Sequence, residues 1–495
     1  MTEQAAPQRD VRIGNCSGFF GDRISAAAEM VGGGPLDVLT GDWLAELTML
    51  ILARQRMKHG EGAGYARTFL QQMEQVLGSC SDQGIKVVAN AGGLDPQALA
   101  EQVHQLAQRL GLGVRIGVVT GDDLMPRLDE LRAEGETFVN LDTGERLDDL
   151  GIVPITANAY LGAGGIVTAL DEGMDVVITG RVTDAALVLG PAAWWHGWPL
   201  ARQTPALASA PDSSADASRR LDASKGLDAL AGALVAGHVI ECGPQATGGN
   251  YPFFADVPGL IDGRLPAFPI AEIAADGSCV ITKHPNTPGM VTVGTVTAQL
   301  LYELGPVSYA NPDVCARFDT IALEQVARDR VRISGVIGEP GPQTLKVAMN
   351  YLGGFRNSMT LAITGRDPGL KAEAACQAIC GLSLNEALGA DPRSLAQRSI
   401  LDADELCVEY IASGHEDPRE PGQAQSFLRV TVKAADPSRI ARKFTAAIVE
   451  PVLSSYPGYF PTTPPAEPTP FGVYWPTTVA AYRVAAEVRA WEPSR

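Results

Sequence analysis

Residues 238–250, with the sequence HVIECGPQATGGN, bring a carboxylate, a thiol and several amides close together along the chain. Glu241 is a candidate general base, because burial at a closed site raises the pKa of a carboxyl group towards neutral pH. Cys242 is a candidate nucleophile, although a thiol becomes reactive only beside a base, a cation or a helix N-terminus. Its alternative role is a packed thiol that contacts substrate. The segment is predicted to be a strand, which would place His238 about 13 Å from Cys242, at about 3.3 Å per residue, and out of reach.

The segment TGRVTDAAL carries a second pair of reactive side chains, Arg181 and Asp184. Arginine is costly to bury without an anion, so Arg181 is predicted to bind Asp184 or a carboxylate or phosphate of the substrate. Asp184 is a second candidate for proton transfer, or else it caps the helix that follows. The polar side chains that come after Cys242 are predicted to orient a substrate carbonyl, and they are Gln245, Thr247 and Asn250.

An anion site is predicted where the sequence TKHPNTPGMVTVG follows an apolar strand. Lys283 and His284 end that strand, and a helix is expected to begin near residues 290–292. The free N–H groups and the positive end of the helix dipole would then face two basic side chains, which suits a CoA phosphate or an acyl carboxylate. The alternative is a lysine salt bridge beside an ordinary loop.

These side chains need a scaffold that joins distant segments. The first half of the chain alternates short β-branched runs with helical segments, which favours an α/β protein with a mostly parallel sheet flanked by helices. Residues 95–111 predict one such helix, with Asp95 as its N-cap and Gly111 at its left-handed end.

Small and polar residues follow these predicted strands. In open parallel sheets, ligands bind beyond the carboxyl ends of the strands, so residues there are predicted to line a substrate site. Turns and helix caps favour the same residue types, which is the alternative explanation for each one alone. The predicted lining residues, besides Arg181 and Glu241, are Asn15, Ser17, Asp22, Asp42, Asn90 and Gly92.

The chain is predicted to have two lobes. The first is interrupted by an Ala-, Ser- and Asp-rich insertion that is expected to be mobile. A hairpin is predicted to turn near Gly353-Gly354, and the second lobe, of mixed α+β type, ends in a proline-rich segment that wraps the surface or a partner subunit. The predicted ranges are 9–205 and 221–365 for the first lobe, 206–220 for the insertion, and 366–480 for the second lobe.

Composition excludes several classes of function. The net charge of −18 argues against binding to nucleic acid or anionic membranes, which needs clustered Lys and Arg. No secretion signal and no run of 18 apolar residues is visible, so the chain is expected in the cytoplasm. The eight cysteines and six histidines are scattered, and nucleotide-binding and serine-hydrolase motifs do not occur, so no metal or cofactor is predicted.

Seven segments, in order, resemble the acyclic terpene utilization protein A (AtuA-like) family. They include GNCSGFFGDR, NAGGLDP, AYLGAGGIVTALDEGMDVVITGRVTDAALVLGP and GHVIECGPQATGGN. The resemblance covers the core region without the extra C-terminal ferredoxin-like domain of longer relatives. It implies breakdown of branched acyclic terpenoids through CoA thioesters. Relatives often read Glu-Cys-Leu-Ala-Glu where this chain has GDWLAEL, so the substrate is expected to differ.

The leading hypothesis is an enzyme that acts on a small branched acyl-CoA or carboxylate substrate by lyase or hydratase-type acid–base chemistry. Glu241 or Asp184 would move the proton, while Arg181 and the pocket at Lys283 would hold the anion. One alternative is a non-catalytic acyl-binding or assembly partner of a biotin-dependent acyl-CoA carboxylase, and another is hydrolysis through acyl-Cys242. The chain is expected to form a homo-oligomer and to bind neither nucleic acid nor membranes.

Overall fold

The computed structural model describes residues 9–200, 216–303, 305–412, 415 and 419–492, with backbone alone at 216–224 and 421. The chain divides into two compact units, Met1–Asn350 with Tyr474–Arg495, and Tyr351–Val473. Most of the predicted insertion, 206–215, lies outside the described residues. Its last five residues, 216–220, belong to a long helix.

The first unit alternates strands and helices as the sequence predicts. Its helices are α1 Ala26–Gly32, α2 Glu46–His59, α3 Arg67–Gln83, α4 Pro96–Leu110, α5 Leu128–Ala133, α6 Gly164–Asp171, α7 Ala186–His196, α8 Asp216–Ile240 and α9 Val293–Leu300. Its strands are β1 Val11–Asn15, β2 Val38–Gly41, β3 Lys86–Ala89, β4 Ile116–Thr120, β5 Thr156–Ala159, β6 Val176–Thr179, β7 Ile270–Ile273, β8 Cys279–Thr282, β9 Ser308–Ala310, β10 Val314–Arg317, β11 Ala322–Ala327, β12 Arg330–Ser334, β13 Ile337–Pro340, the start of β14 Thr344–Thr364, the end of β18 Thr469–Ala480, and β19 Glu487–Ala490.

A ten-stranded sheet forms the centre of this unit, in the order β11-β12-β8-β7-β1-β2-β3-β6-β4-β19. The α/β class is confirmed. Parallel pairing is confined to the middle of the sheet, where β1, β2, β3, β6 and β4 pair in turn, and the outer strands pair antiparallel. The loops after β1, β2, β3, β4 and β6 therefore leave from one edge, which is what a shared site requires.

Helices α1, α3 and α4 bury their apolar faces against this sheet. Met30, Phe69 and Leu99 lie in one continuous core with strand residues such as Val87. Helix α4 begins at Pro96 after Asp95 and ends at Gly111, whose φ of +70° is the left-handed conformation predicted for it.

The second unit is an α+β unit with its own core. Its strands β15 Glu405–Ala412, β16 Gln425–Ala434 and β17 Tyr459–Pro461 join β14 in an antiparallel sheet, order β15-β16-β14-β17. Its helices are α10 Pro368–Cys380, α11 Leu384–Ala387, α12 Pro392–Arg398 and α13 Arg442–Val449. Residues of α10, α12 and α13 pack on one face of that sheet.

Two local predictions in this region are wrong. Gly353 and Gly354 do not turn a hairpin, because β14 runs through both and pairs with β16 from Phe355 onward. The proline-rich segment is not wholly irregular, since β17 and β18 occupy its two ends. Prolines are tolerated at strand positions whose N–H group is not needed for the ladder, which the composition alone does not reveal.

Candidate functional site

A cavity of about 1410 Å³ lies within the first unit. Loops after β1, β2 and β6 form one part of its wall, and the end of α8 and the loop after it form another. Residues 302–303, 309–312, 342 and 344–346, together with Tyr160 and Thr478, also line it. Eight of the predicted site residues line this cavity, namely Asp22, Asp42, Arg181, Asp184, Glu241, Cys242, Gln245 and Asn250.

Arg181 is the most buried charge in the wall, with 2% of its surface exposed. Its guanidinium donates to the carbonyl oxygen of Leu44, lies 3.0 Å from Asp184 Oδ1, and stacks 4.1 Å from the centre of the Tyr160 ring. Its backbone N–H donates to Asp122 Oδ2 at 2.8 Å. Nε is buried and has no hydrogen-bond partner among the described residues.

Asp42, which is buried, and Asp184, which is partly exposed, form a carboxyl pair beside Arg181. Burial, and then the neighbouring Asp184, raise the pKa of Asp42 well above its usual value. Burial also raises the pKa of Asp184, and Arg181 opposes that rise. Asn90 donates to Asp42 Oδ1 at 2.6 Å from behind the wall.

Glu241 does not follow a strand, and that prediction is wrong. Helix α8 continues to Ile240, and the Glu241 N–H donates to the Gly237 carbonyl at 2.9 Å. Positions three apart share a helix face, so His238 Nδ1 lies 3.3 Å from Glu241 Oε1. The apolar run before it gives no helical signal, because residues 229–240 of α8 are buried on all sides.

Glu241 and His238 form a second pair of titratable groups. Burial is the main cause that raises the pKa of Glu241 well above its usual value, with the charges of Asp184 and Glu303 adding to it. Burial lowers the pKa of His238. Both shifts favour a protonated carboxyl group beside a neutral imidazole. Glu241 Oε2 is buried and has no hydrogen-bond partner among the described residues.

Cys242 is poorly suited to act as a nucleophile. Burial raises the pKa of its thiol, and the carboxylate of Glu241 raises it further. Its backbone is packed against Gly18, where an added Cβ would lie 2.6 Å from the Cys242 carbonyl carbon. That close approach explains why the loop after β1 has a glycine there.

A third cluster, of Glu46, Tyr160 and Lys346, was not predicted from the sequence. The Tyr160 hydroxyl donates to Glu46 Oε1 at 2.6 Å, and Lys346 Nζ lies 3.0 Å from the same oxygen. These two partners outweigh burial and lower the pKa of Glu46 to about 2. Glu46 lies 114 and 300 residues from its partners in the chain. The only sequence feature that pointed to this cluster is the acidic character of GDWLAEL.

Four predicted residues lie behind the wall. Asn15 Nδ2 reaches the Glu241 carbonyl at 3.5 Å, and its Oδ1 accepts from the Ser17 N–H at 3.0 Å. Asn90 is fully buried against Asp42. An added Cβ at Gly92 would lie 2.6 Å from the Thr179 carbonyl oxygen, so this glycine allows close packing of two strand ends. These residues support the site without facing it.

The structure does not bring Lys283 and His284 to the cavity. Helix α9 begins at Val293 with Thr292 as its cap, close to the predicted start. However, Lys283 Nζ donates to the Thr287 carbonyl at 2.9 Å and lies 3.4 Å from Asp329, while His284 Nε2 contacts the Met30 carbonyl at 2.8 Å. Both side chains are engaged within the fold, as in the salt-bridge alternative.

In the part of the chain that the structure describes, no three His, Cys, Asp or Glu side chains are grouped to hold a metal ion. Among the described helices, none has the length and apolar character that crossing a membrane requires.

The fold and the cavity define a two-unit α/β protein with a carboxyl-rich small-molecule cavity in its first unit. The chain belongs to the acyclic terpene utilisation family, AtuA, whose sequence description matches residues 11–211 and 223–490. The resemblance found in the sequence is thus confirmed, and it connects the chain with the utilisation of acyclic terpenes. No curated protein matches the chain, and no solved structure matches it.

Proposed function

We propose that the protein is an enzyme that adds water to, or eliminates it from, a branched acyl compound by acid–base catalysis. The observation that carries this proposal is the presence in one cavity of three carboxyl groups whose pKa is raised, Asp42, Asp184 and Glu241. Enzymes raise carboxyl pKa values in this way so that one group holds a proton at neutral pH and another receives it.

The reaction is balanced without a further reactant. In hydration, the oxygen of water bonds to the β-carbon of an unsaturated acyl group while a base takes one proton of that water. The π electrons of the carbon–carbon double bond then take a proton at the α-carbon. Glu241, in contact with His238, would supply one proton, and Asp184, paired with Asp42, would accept the other. Elimination is the reverse.

Arg181 would hold the carboxylate or thioester carbonyl of the substrate. Two other cations line the cavity, but Lys346 binds Glu46, and Arg23 binds Glu29 at 2.7 Å and the carbonyl of Pro266. Arg181 is paired with Asp184 but lies in the same wall as Glu241, so it is the cation that we propose binds the substrate anion. The phosphates of a CoA carrier would then extend out of the cavity.

The test is turnover of branched 2-enoyl and 3-hydroxyacyl substrates, as free acids and as CoA thioesters, followed by mass spectrometry. Wild-type protein is expected to interconvert the pair, and Glu241→Gln to do so about 10²–10⁴-fold more slowly. Glu324→Gln, at an exposed glutamate of β11, is the matched control and should keep full activity. Unchanged substrates would refute the proposal, and binding without turnover would favour the acyl-binding role for a carboxylase partner.

A further inference from the structure

Large apolar side chains stand exposed where the cavity opens. Phe19, Phe254 and Leu265 line the cavity and yet are 57%, 56% and 60% exposed. Leu260 is half-buried beside them. We call these four residues the apolar mouth. Single exposed apolar residues are common, but a group of them around one opening marks a binding surface.

The segment that carries three of these residues is held firmly in place. Val257 is buried, and the Pro258 carbonyl accepts from the Gly289 N–H at 2.9 Å. At its far end, the Pro266 carbonyl accepts from Arg23 at 3.1 Å. The exposure of Phe254 and Leu265 is therefore set by the fold of an anchored loop.

The size of the cavity agrees with a ligand that has two parts. Ligand sites commonly measure about 300–1,000 Å³, whereas this cavity measures about 1410 Å³. The polar groups that would do chemistry, Arg181 and Glu241, need only a carbonyl and its neighbours. The remaining volume is continuous with the apolar mouth and is suited to a hydrocarbon chain.

We infer that the apolar mouth binds the hydrocarbon chain of an acyl substrate whose polar end lies at Arg181 and Glu241, and that Phe254 and Leu265 set the preferred chain length. This inference rests on the proposed function for the position of the polar end, but it concerns binding and does not require turnover.

The same segment supplies matched controls. Phe253 and Ile261 are 64% and 66% exposed, as much as Phe254 and Leu265, but they do not line the cavity. Alanine at any of the four positions removes an exposed side chain, so all four variants should fold.

The experiment is isothermal titration calorimetry with hexanoate, octanoate and decanoate, and with the CoA thioesters of these acids. Kd is expected to fall about two- to fourfold per methylene, with a negative heat-capacity change from apolar burial. Phe254→Ala and Leu265→Ala should weaken decanoate binding about tenfold and hexanoate binding less than twofold. Phe253→Ala and Ile261→Ala should change neither. A fall in Kd with chain length, either among the free acids or among the CoA thioesters, supports the inference and shows which form of the substrate binds.

A Kd that does not depend on chain length in either series would overturn the inference. An equal effect of Leu265→Ala and Ile261→Ala on Kd would also overturn it. So would a change of oligomeric state in sedimentation of Phe254→Ala or Leu265→Ala with unchanged ligand affinity, because that would assign the surface to a protein contact. Chain-length dependence without turnover would leave the inference standing and refute the proposed function, whereas Glu241-dependent turnover without chain-length dependence would do the opposite.

Discussion

Replacing Glu241 with glutamine should remove activity and at the same time stabilise the protein above neutral pH. The amide has the shape of the carboxyl group but cannot exchange a proton. A loss of about 10²–10⁴-fold in kcat/KM corresponds to about 3–5 kcal/mol of transition-state stabilisation. If Glu241 served only the fold, its replacement would lower activity only by lowering the stability of the protein.

The stability effect follows from the direction of the pKa change. The pKa of Glu241 is raised in the folded state, so the stability that its protonated form gives is complete below the unfolded pKa of about 4.3 and is lost as the pH rises through the folded pKa. Glutamine cannot ionise, so the variant keeps that stability. The gain of the variant over wild type should be absent near pH 4 and largest at high pH.

The expected rise in Tm can be calculated from the size of the first unit. Each unit by which the folded state raises the pKa of Glu241 lowers the unfolding free energy of the wild type, relative to the variant, by about 1.4 kcal/mol at high pH. The first unit has about 370 residues, and about 2.1 cal/mol/K per residue gives an unfolding entropy of about 0.8 kcal/mol/K, so each such step raises Tm by about 2 °C.

The assay is differential scanning calorimetry of wild type and variant from pH 4 to pH 9, with kcat/KM measured on the same samples. The reasoning fails if the variant is destabilised by the same amount at every pH, because Glu241 would then be a hydrogen-bonding group of the fold. It also fails if activity persists.

Three further predictions follow from the same wall of the cavity. Arg181→Met should destabilise the protein by about 3–5 kcal/mol in urea unfolding at pH 8, because it leaves Asp184 without its cation. It should also abolish binding of acyl anions. Unaltered stability would show that Arg181 is not paired as described. Cys242→Ala should keep activity within about twofold, and iodoacetamide should label Cys242 slowly at pH 7, because its thiolate is disfavoured; rapid labelling with loss of activity would restore hydrolysis through acyl-Cys242. Burial raises the pKa of Asp122 to about 6, so the stability that its protonated form gives is lost as pH rises towards and through about 6. Asp122→Asn should remove about 1.5 kcal/mol from the decline in unfolding free energy between pH 5 and pH 8, and an unchanged decline would contradict this.

Local patterns predicted the parts of the fold that depend on short segments. The turn residues after β1, β2 and β6 predicted where those strands end, and Pro96 and Gly111 predicted the limits of α4, although the Asp95 side chain makes no capping hydrogen bond. Parallel strand ends share an edge, so the meeting of Asp42, Arg181 and Asp184 at one cavity followed from that pattern.

The rest depended on contacts that no local pattern encodes. A helix buried on all sides has the same apolar run as a buried strand, so the strand prediction placed His238 out of reach of Cys242 and did not anticipate its contact with Glu241. Lys283 follows β8 at the same sheet edge as the end of β1, since Ile270 pairs with both Gly14 and Thr282, but its side chain turns to Thr287 and Asp329.

The measurement that tests the acid–base role of the cavity most directly is deuterium incorporation in D₂O. A branched 2-enoyl substrate hydrated by wild-type protein should acquire one deuterium at its α-carbon, detected by mass spectrometry, and Glu241→Gln should incorporate it at least about 10²-fold more slowly. Wild-type protein that binds the substrate and leaves its α-carbon free of deuterium would contradict the account.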